Sequence, residues 1–338
     1  MNPSLVVLDA GPGVTLQDGG RRGYLRYGVT WAGPMDAVAF QTANLAVGNA
    51  ANAAAIEVSV GGLLLTVEDV PLTVAVAGGN FTILYGGRSL PAATVLRLEP
   101  SATLSIRSGA WGAWCYLAIA GLLDVPPVLG SVSTHLRSGI GGHTGRCLAK
   151  GDRIPILAQR NPATTNAEIA APWLADRTET YRVIMGPQND YFAHDQIETF
   201  LSQDFILSER SDRMAYQLEG PTLTHSKGFN IVSDGIAMGA IQVTGEGVPL
   251  VLMADRQPTG GYPKIANLIS ADIGRFAQLR PGSRLRFVRV STDEAVYLLC
   301  AQRQLLQAPI QSRPLVRNHF ESEFLLGLNL IDGVTAEK

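Results

Sequence analysis

The chain has 338 residues, 46% of them hydrophobic and 17% charged, with a formal net charge of −2. That length suffices for two domains with full cores, while the near-neutral balance leaves no basic footprint for nucleic acid. No 18-residue apolar span is free of charges or turn residues, so no membrane-crossing helix is expected.

The opening MNPSLVVLDAGPG lacks a basic region and a long apolar run, so it does not read as a signal peptide. WAGPMD (31–36) leads into DAVAFQTANLAV, where Asp36 can cap a helix that stops at Gly48. That helix start is equally a candidate anion site. Short apolar runs then follow, separated by Gly, Pro, Asp or Asn every eight to twelve residues: GLLLTV, LTVAVAGG, FTILYGG, TVLRLEP, ATLSIRSG and CYLAIAG. This is the spacing of an all-β sandwich or barrel, and 36 glycines and 19 prolines supply its turns. GIGGHTGR (139–146) does not keep the G-x-G-x-x-G spacing and precedes a turn and strand, so it reads as a structural or substrate-facing β-loop.

Between about 158 and 180 the pattern lapses, and this stretch reads as the connection between two β-rich halves. The second half restarts with YRVIM, then QNDYFAHDQIETFL (188–201) as a second helix. FILSE, MAYQLEG, IQVTG, PLVLMA and RLRFVRV read as further strands. STDEAVYLLCAQRQLL (291–306), with acids in its first turn, reads as a third helix. The expected division is a first β domain over 1–160, a second with a C-terminal helix over 175–308, and a weakly patterned tail over 309–338.

Several chemistries are excluded by motif. There is no Gly-Lys dipeptide and hence no Walker A loop, no HExxH, no G-x-S-x-G elbow and no biotin-carrier Met-Lys-Met. The five histidines show no ligand spacing, so no metal site is expected. Three distant cysteines, Cys115, Cys147 and Cys300, form no disulfide or metal framework and point to a reducing, cytoplasmic setting.

The densest chemistry lies in ADRQPTGGYPKIA (254–266). A strand delivers Asp255 at its end, and Pro258 ends the strand. Gly260 and Gly261 allow positive φ and close approach of backbone N–H groups to a ligand. Lys264 is one of only four lysines against 23 arginines. Backbone donors plus one ammonium suit a carboxylate, a phosphoryl group or a developing oxyanion. A glycine hairpin with a solvated lysine fits the spacing as well. IMGPQNDYF, SDRMAYQLEGP and SDGIAMGAIQV likewise place polar residues among small ones at strand ends, where Asp212–Arg213 can be no more than a surface pair.

Taken together, TLQDGGRRGYLRYGV, WAGPMD, NLAVGN, IEVS, STHLRSGIGGHTGRCLAKGD, MGPQNDYF, SDRMAYQLEGP, SDGIAMGAIQV, ADRQPTGGYPKIA and AQLRPGSRLRF resemble the family of allophanate hydrolase subunit 2. That family also occurs as the carboxyltransferase part of urea carboxylase and as the C component of 5-oxoprolinase. The resemblance covers roughly residues 8–305. It implies a mainly β chain of two tandem cyclophilin-like β-barrel domains with a few helices. It also implies a kinase-inhibitor-like subunit 1 partner and, for free-standing members, the A component of 5-oxoprolinase, with an ATP-dependent opening of 5-oxoproline to glutamate. ATP would be shared with or supplied through the partners, and the isolated chain would be inactive.

On this resemblance Lys264 and Asp255 are the candidate catalytic residues. Lys264 with the Gly260 and Gly261 amides would stabilise oxygen charge, and Asp255 would orient Lys264 or a substrate N–H. Tyr262, Gln242, Asp212 and Arg213 complete the candidate substrate contacts. Longer relatives imply an alternative, carboxyl transfer from carboxybiotin to a urea or amide nitrogen, with biotin carried elsewhere. A non-enzymatic regulator that binds its partner protein is a third reading. Pro258, Ala215 and Gln217 stand where the family more often has Thr, Gly and Arg, and Gln217 removes a possible charge contact.

Overall fold

A computed structural model describes residues 3–159 and 166–316. The chain is mainly β. Strands drawn from Ser4 to Ile169, joined by Ser312–Pro314, build a twelve-stranded sheet, and strands from Thr180 to Arg289 build a closed seven-stranded barrel. Around the barrel wall the order is Thr180–Met185, Lys264–Leu268, Ala240–Val243, Pro249–Leu252, Ala215–Glu219, Phe205–Ser211 and Arg284–Arg289. The last strand closes on the first in parallel. Alternation is plain where one face is solvated: Leu63–Glu68 alternates buried and half-buried positions.

Two of the expected strand pairs are single long strands. LTVAVAGG and FTILYGG form one strand, Leu72–Tyr85, and ATLSIRSG and CYLAIAG lie in another, Thr103–Ile119. The glycines inside them mark a close crossing, not turns. A Cβ on Gly79 would lie 2.7 Å from the Gly112 Cα, and Gly112 has φ +86°. The pairing register shifts beside them, between Gly78 and Asn80 and again before Thr82.

Helix α1 (Ala37–Ala46) is capped as expected, with Asp36 accepting from the Val38 and Ala39 amides. The expected 188–201 helix is interrupted: a 3-10 turn, Asn189–Tyr191, is separated by extended Phe192 and Ala193 from α2 (His194–Ser202). Helix α3 (Ser270–Ala277) was not anticipated. It is eight residues long and contains Gly274, where a Cβ would lie 2.5 Å from Asp36 Oδ1. Helix α4 (Thr292–Gln307) starts at Ser291, whose hydroxyl accepts from the Glu294 amide.

The segment expected to be a plain connection supplies a strand, Ala167–Ile169, to the first sheet. Ser312–Pro314, in the expected tail, pairs with it in turn. Residues 160–165 and 317–338 lie outside the described residues. One hydrophobic core lies wholly in the first half, around Leu5, Ile56, Leu104 and Leu117. The other crosses between halves, joining Phe40, Trp114 and Tyr116 to Tyr216, Phe276 and Phe287. The junction between sheet and barrel is therefore packed like an interior, and rigid elements hold what sits there. Among the described residues no helix is long and apolar enough to cross a membrane.

Candidate functional site

The ADRQPTGGYPKIA segment carries polar residues at both ends. At its far end Lys264 opens a barrel strand and lies opposite Gln242. It is not solvated. The residue is 3% exposed, and its Nζ donates to Asp234 Oδ2 at 2.8 Å. Asp234 is half exposed, and the Lys264 ammonium holds its carboxyl below the usual carboxylate range. The Lys264 amide donates to Gln188 Oε1 at 3.3 Å.

Gly260 pairs opposite Asp234 in a two-stranded ribbon, and neither Gly260 nor Gly261 adopts the left-handed region. What requires glycine at 260 is crowding, since a Cβ would lie 2.7 Å from both Gln242 Nε2 and Ile236 Cδ1. Gln242 donates to the Tyr262 carbonyl at 3.2 Å, and the Tyr262 ring is exposed at the surface.

At the near end, Asp255 does not orient Lys264. Its amide donates to the Arg213 carbonyl, which sets the two side chains face to face. Arg213 Nε and Nη2 donate to Asp255 Oδ2 and Oδ1 at 3.0 and 2.9 Å, a bidentate fork. The same guanidinium reaches into the first half. Nη1 donates to Glu57 Oε1, and Nη2 to the Gly33 carbonyl at 2.7 Å. All three charged groups are buried.

The expected surface pair is thus absent. Asp212 turns away and caps its own turn through the Met214 and Ala215 amides. Burial opposes the charge on Arg213, but Asp255 and Glu57 outweigh it and hold the guanidinium above the ordinary arginine value. Burial pushes Glu57 up, and Arg213 pulls it back. Glu57 Oε2 accepts from the Tyr116 hydroxyl at 2.8 Å and the Met35 amide at 2.9 Å. The Tyr116 oxygen accepts from the Asp36 amide. The α1 start is accordingly filled by its own cap and by Gln278, which donates to Asp36 Oδ2 at 2.8 Å.

Two further buried arginines surround Asp255, and among the described residues neither has a carboxylate bonded to it. Arg21 is 0% exposed and donates from Nε and Nη2 to the Val128, Ser131 and Ser133 carbonyls; its Nη1 has no partner among the described residues. Arg256 is 3% exposed, donates to the Ile236 and Met253 carbonyls, and lies 5.6 Å from the Trp31 ring centroid. Burial lowers its pKa to about 10, with only the charge of Asp255 opposing. Trp31 Nε1 and Thr30 Oγ1 are also buried without partners among the described residues.

His135 Nδ1 pairs with Ser138 Oγ at 2.9 Å, and its Nε2 has no partner among the described residues. Burial pushes His135 down against the pull of Asp255, so it sits here as a neutral imidazole at neutral pH. Buried donors left unpaired are costly, and Arg21, which feels Asp18 and Asp255 only through space, and Arg256, which feels Asp255 in the same way, keep hydrogen-bonding capacity for an anion. Among the described residues no group of His, Cys, Asp or Glu is arranged to hold a metal.

The structure therefore splits the expected residues. Arg213 and Asp255 meet at the junction, while Lys264, Gly260, Gln242 and Tyr262 meet at the other end of the loop, with Gly261 between. Glu57, Arg21, Arg256, Trp31 and His135 were missed as site residues, although each lies inside a motif that carried the family resemblance. A charged residue embedded among Gly and small residues was the signal available for Arg21 and Arg256.

Comparisons with known proteins agree with this architecture. The family described as "Carboxyltransferase domain, subdomain A and B" matches residues 27–289. The C component of the 5-oxoprolinase of Escherichia coli (strain K12) is 36% identical over 293 residues, covering 86% of this chain and 93% of that protein. The urea amidolyase of Saccharomyces cerevisiae is 31% identical over 300 residues, 82% of this chain but 16% of that enzyme. Among solved structures, the K. lactis urea amidolyase superposes with a TM-score of 0.83 at 27% identity. The match covers 90% of this chain and 20% of the amidolyase. The Kluyveromyces lactis urea carboxylase gives 0.84 at 28%, covering 90% and 29%. Homologous to the C component of 5-oxoprolinase and to the carboxyltransferase regions of urea amidolyases, this chain belongs to the carboxyltransferase domain family, subdomains A and B.

Proposed function

We propose that the chain is a subunit of an ATP-dependent 5-oxoprolinase that opens 5-oxoproline to L-glutamate in the cytoplasm. It would act with a kinase-inhibitor-like subunit 1 and with the A component of that enzyme. The observation that carries this reading is the pair of buried guanidiniums beside Asp255, Arg21 and Arg256, neither hydrogen-bonded to a carboxylate among the described residues. A small substrate bearing one carboxylate and one lactam N–H answers both demands. Its carboxylate takes the free Arg21 donor and Arg256, and Asp255, held by Arg213, accepts the N–H. Trp31 supplies a ring face and an N–H.

Lys264, with Gly260, Gly261, Tyr262 and Gln242, stands at the other end of the loop and must reach the same substrate from there. Its ammonium can exchange the half-exposed Asp234 for oxygen charge developing on the ring carbonyl. Asp212 acts indirectly, by fixing the turn that presents Arg213. ATP, shared with the partner proteins, supplies the free energy that an unstrained amide ring requires. The chain alone is expected to be inactive, having no nucleotide loop of Walker type.

The test is glutamate release from 5-oxoproline and ATP by the chain reconstituted with both partners. Arg256→Met should raise KM by roughly 10- to 100-fold, the value of one hydrogen bond to a charged group. No glutamate release by the complete complex overturns the reading. Carboxyl transfer from carboxybiotin to a urea-like nitrogen is the second reading, favoured by the family match and by the likeness to yeast urea amidolyase. Urea carboxylation on adding a biotin carrier, with no action on 5-oxoproline, would decide for it.

A further inference from the structure

A second feature lies between the halves, away from Asp255. A cleft of about 600 Å³ opens among α3, α4, the 172–179 segment and the Trp111 strand. This is well within the roughly 300–1,000 Å³ of small-molecule sites. It shares no lining residue with the Arg213 cluster. Five arginines line it against three acids, Asp36, Asp176 and Glu179. Two of those acids are already engaged: Asp36 caps α1 and accepts from Gln278, and Asp176 accepts from Arg275 at 2.7 Å.

Among the arginines, Arg182 and Arg275 pair with Asp272, and Arg284 with Asp204. Arg177 and Arg280 form no ion pair among the described residues. Arg280 is not a loose surface cation. Its Nε and Nη1 donate to the Gly112 and Gly109 carbonyls at 2.7 and 3.0 Å, which fixes the fork, and its Nη2 has no partner among the described residues. Arg177 is exposed and lies 5.7 Å from the Trp111 ring centroid. Trp173 adds a second indole to the wall. The cleft thus offers fixed and mobile guanidinium charge beside aromatic faces. Guanidinium forks suit phosphate oxygens, and indole faces suit a base.

We propose that this cleft binds a nucleoside triphosphate, with Arg280 and Arg177 on the phosphates and the base against the indoles. That it is ATP rests on the functional reading above; that the cleft takes an aromatic polyanion does not.

The experiment is calorimetric titration of the purified full chain with Mg²⁺-ATP, with inorganic tripolyphosphate and with adenosine. ATP should bind, tripolyphosphate more weakly, and adenosine most weakly. Arg280→Ala should weaken ATP at least about 10-fold, the loss of one charged hydrogen bond. Because Arg280 also ties down the glycine strand, Arg177→Glu is the companion variant. It touches only an exposed side chain, and should weaken ATP by a similar factor at an unchanged melting temperature.

No ATP binding at about 1 mM, an affinity floor of roughly 4 kcal/mol, overturns the inference, as does unchanged binding in Arg177→Glu. Tripolyphosphate binding as tightly as ATP would overturn the role of the indoles. A complex that releases glutamate while its isolated chain binds no nucleotide sinks this site and leaves the function standing. A chain that binds ATP through these arginines, in a complex inert toward 5-oxoproline, does the reverse.

Discussion

The two ends of the Asp255–Lys264 segment carry charges of equal formal strength in opposite surroundings. At Asp255 both partners are buried, and the Arg213 guanidinium bridges the halves through Glu57, Asp255 and the Gly33 carbonyl. At Lys264 the ammonium is buried, but its partner Asp234 is 52% exposed. In the first case removing one group strands charges that water cannot reach. In the second, the group left behind rehydrates. A motif rich in charge thus contains a structural clasp at one end and a releasable pair at the other, and only the second can hand its cation to a ligand without a large penalty.

The sharpest way to break this contrast is Arg213→Met. It leaves Glu57 and Asp255 as buried carboxylates facing each other, and should cost about 3–5 kcal/mol in urea unfolding. Arg213→Lys should recover only a small part, because an ammonium cannot make the fork to Asp255 while also reaching Glu57 and Gly33. A loss below about 1 kcal/mol for Arg213→Met would mean that water enters the junction.

Lys264→Met should have a smaller effect, about 1 kcal/mol, since the methionine keeps the buried volume and Asp234 returns to solvent. A solvated hairpin lysine would give no loss. Turnover in the reconstituted complex should fall by roughly 10²-fold or more if the ammonium meets developing oxygen charge. Near-normal turnover would leave Lys264 a structural residue only.

How much of this was readable beforehand depended on the range of the interaction. The strands of the barrel wall were readable as short apolar runs between turn residues, and burial alternates in some of them, such as Ala215–Glu219 and Arg284–Arg289, while Ala240–Val243 is buried throughout. The glycines at 78–79, 109 and 112 look like strand ends in the sequence, because a turn and a close crossing of two strands both require a missing Cβ, and only the partner strand distinguishes them. Helix α3 is too short for its stripe to declare itself, and it is held by Asp272 accepting from Arg182, 90 residues away.

The site followed the same rule. Arg213 and Asp255 were identifiable as polar residues at strand ends, but Glu57 stands 156 positions from Arg213 in an ordinary-looking strand. Lys264 looks like a surface residue in the sequence because nothing local signals that Asp234 and Gln188 close over it.

The smallest expected effect concerns protonation beside the clasp. His135 is neutral in the folded protein because burial pushes its imidazole below the ordinary value of 6.5, outweighing the attraction of Asp255. A depressed histidine means that, as pH falls below about 6.5, the unfolded chain takes up a proton that the folded chain refuses. Stability should therefore be full above that pH and decline on acidification, until the folded-state value is reached and the imidazole charges in place. Urea unfolding between about pH 7.5 and 5.5 reads the slope directly. His135→Gln, which keeps a side chain able to meet Ser138, should flatten the slope without lowering stability much at the upper end of that range. His225, also depressed by burial and with an Nε2 unpartnered among the described residues, contributes in the same direction. His225→Gln should remove a separate share, and the double variant should lose both. A slope unchanged in His135→Gln would mean that its imidazole is hydrated, and that the pocket around Asp255 is open to water even without a substrate.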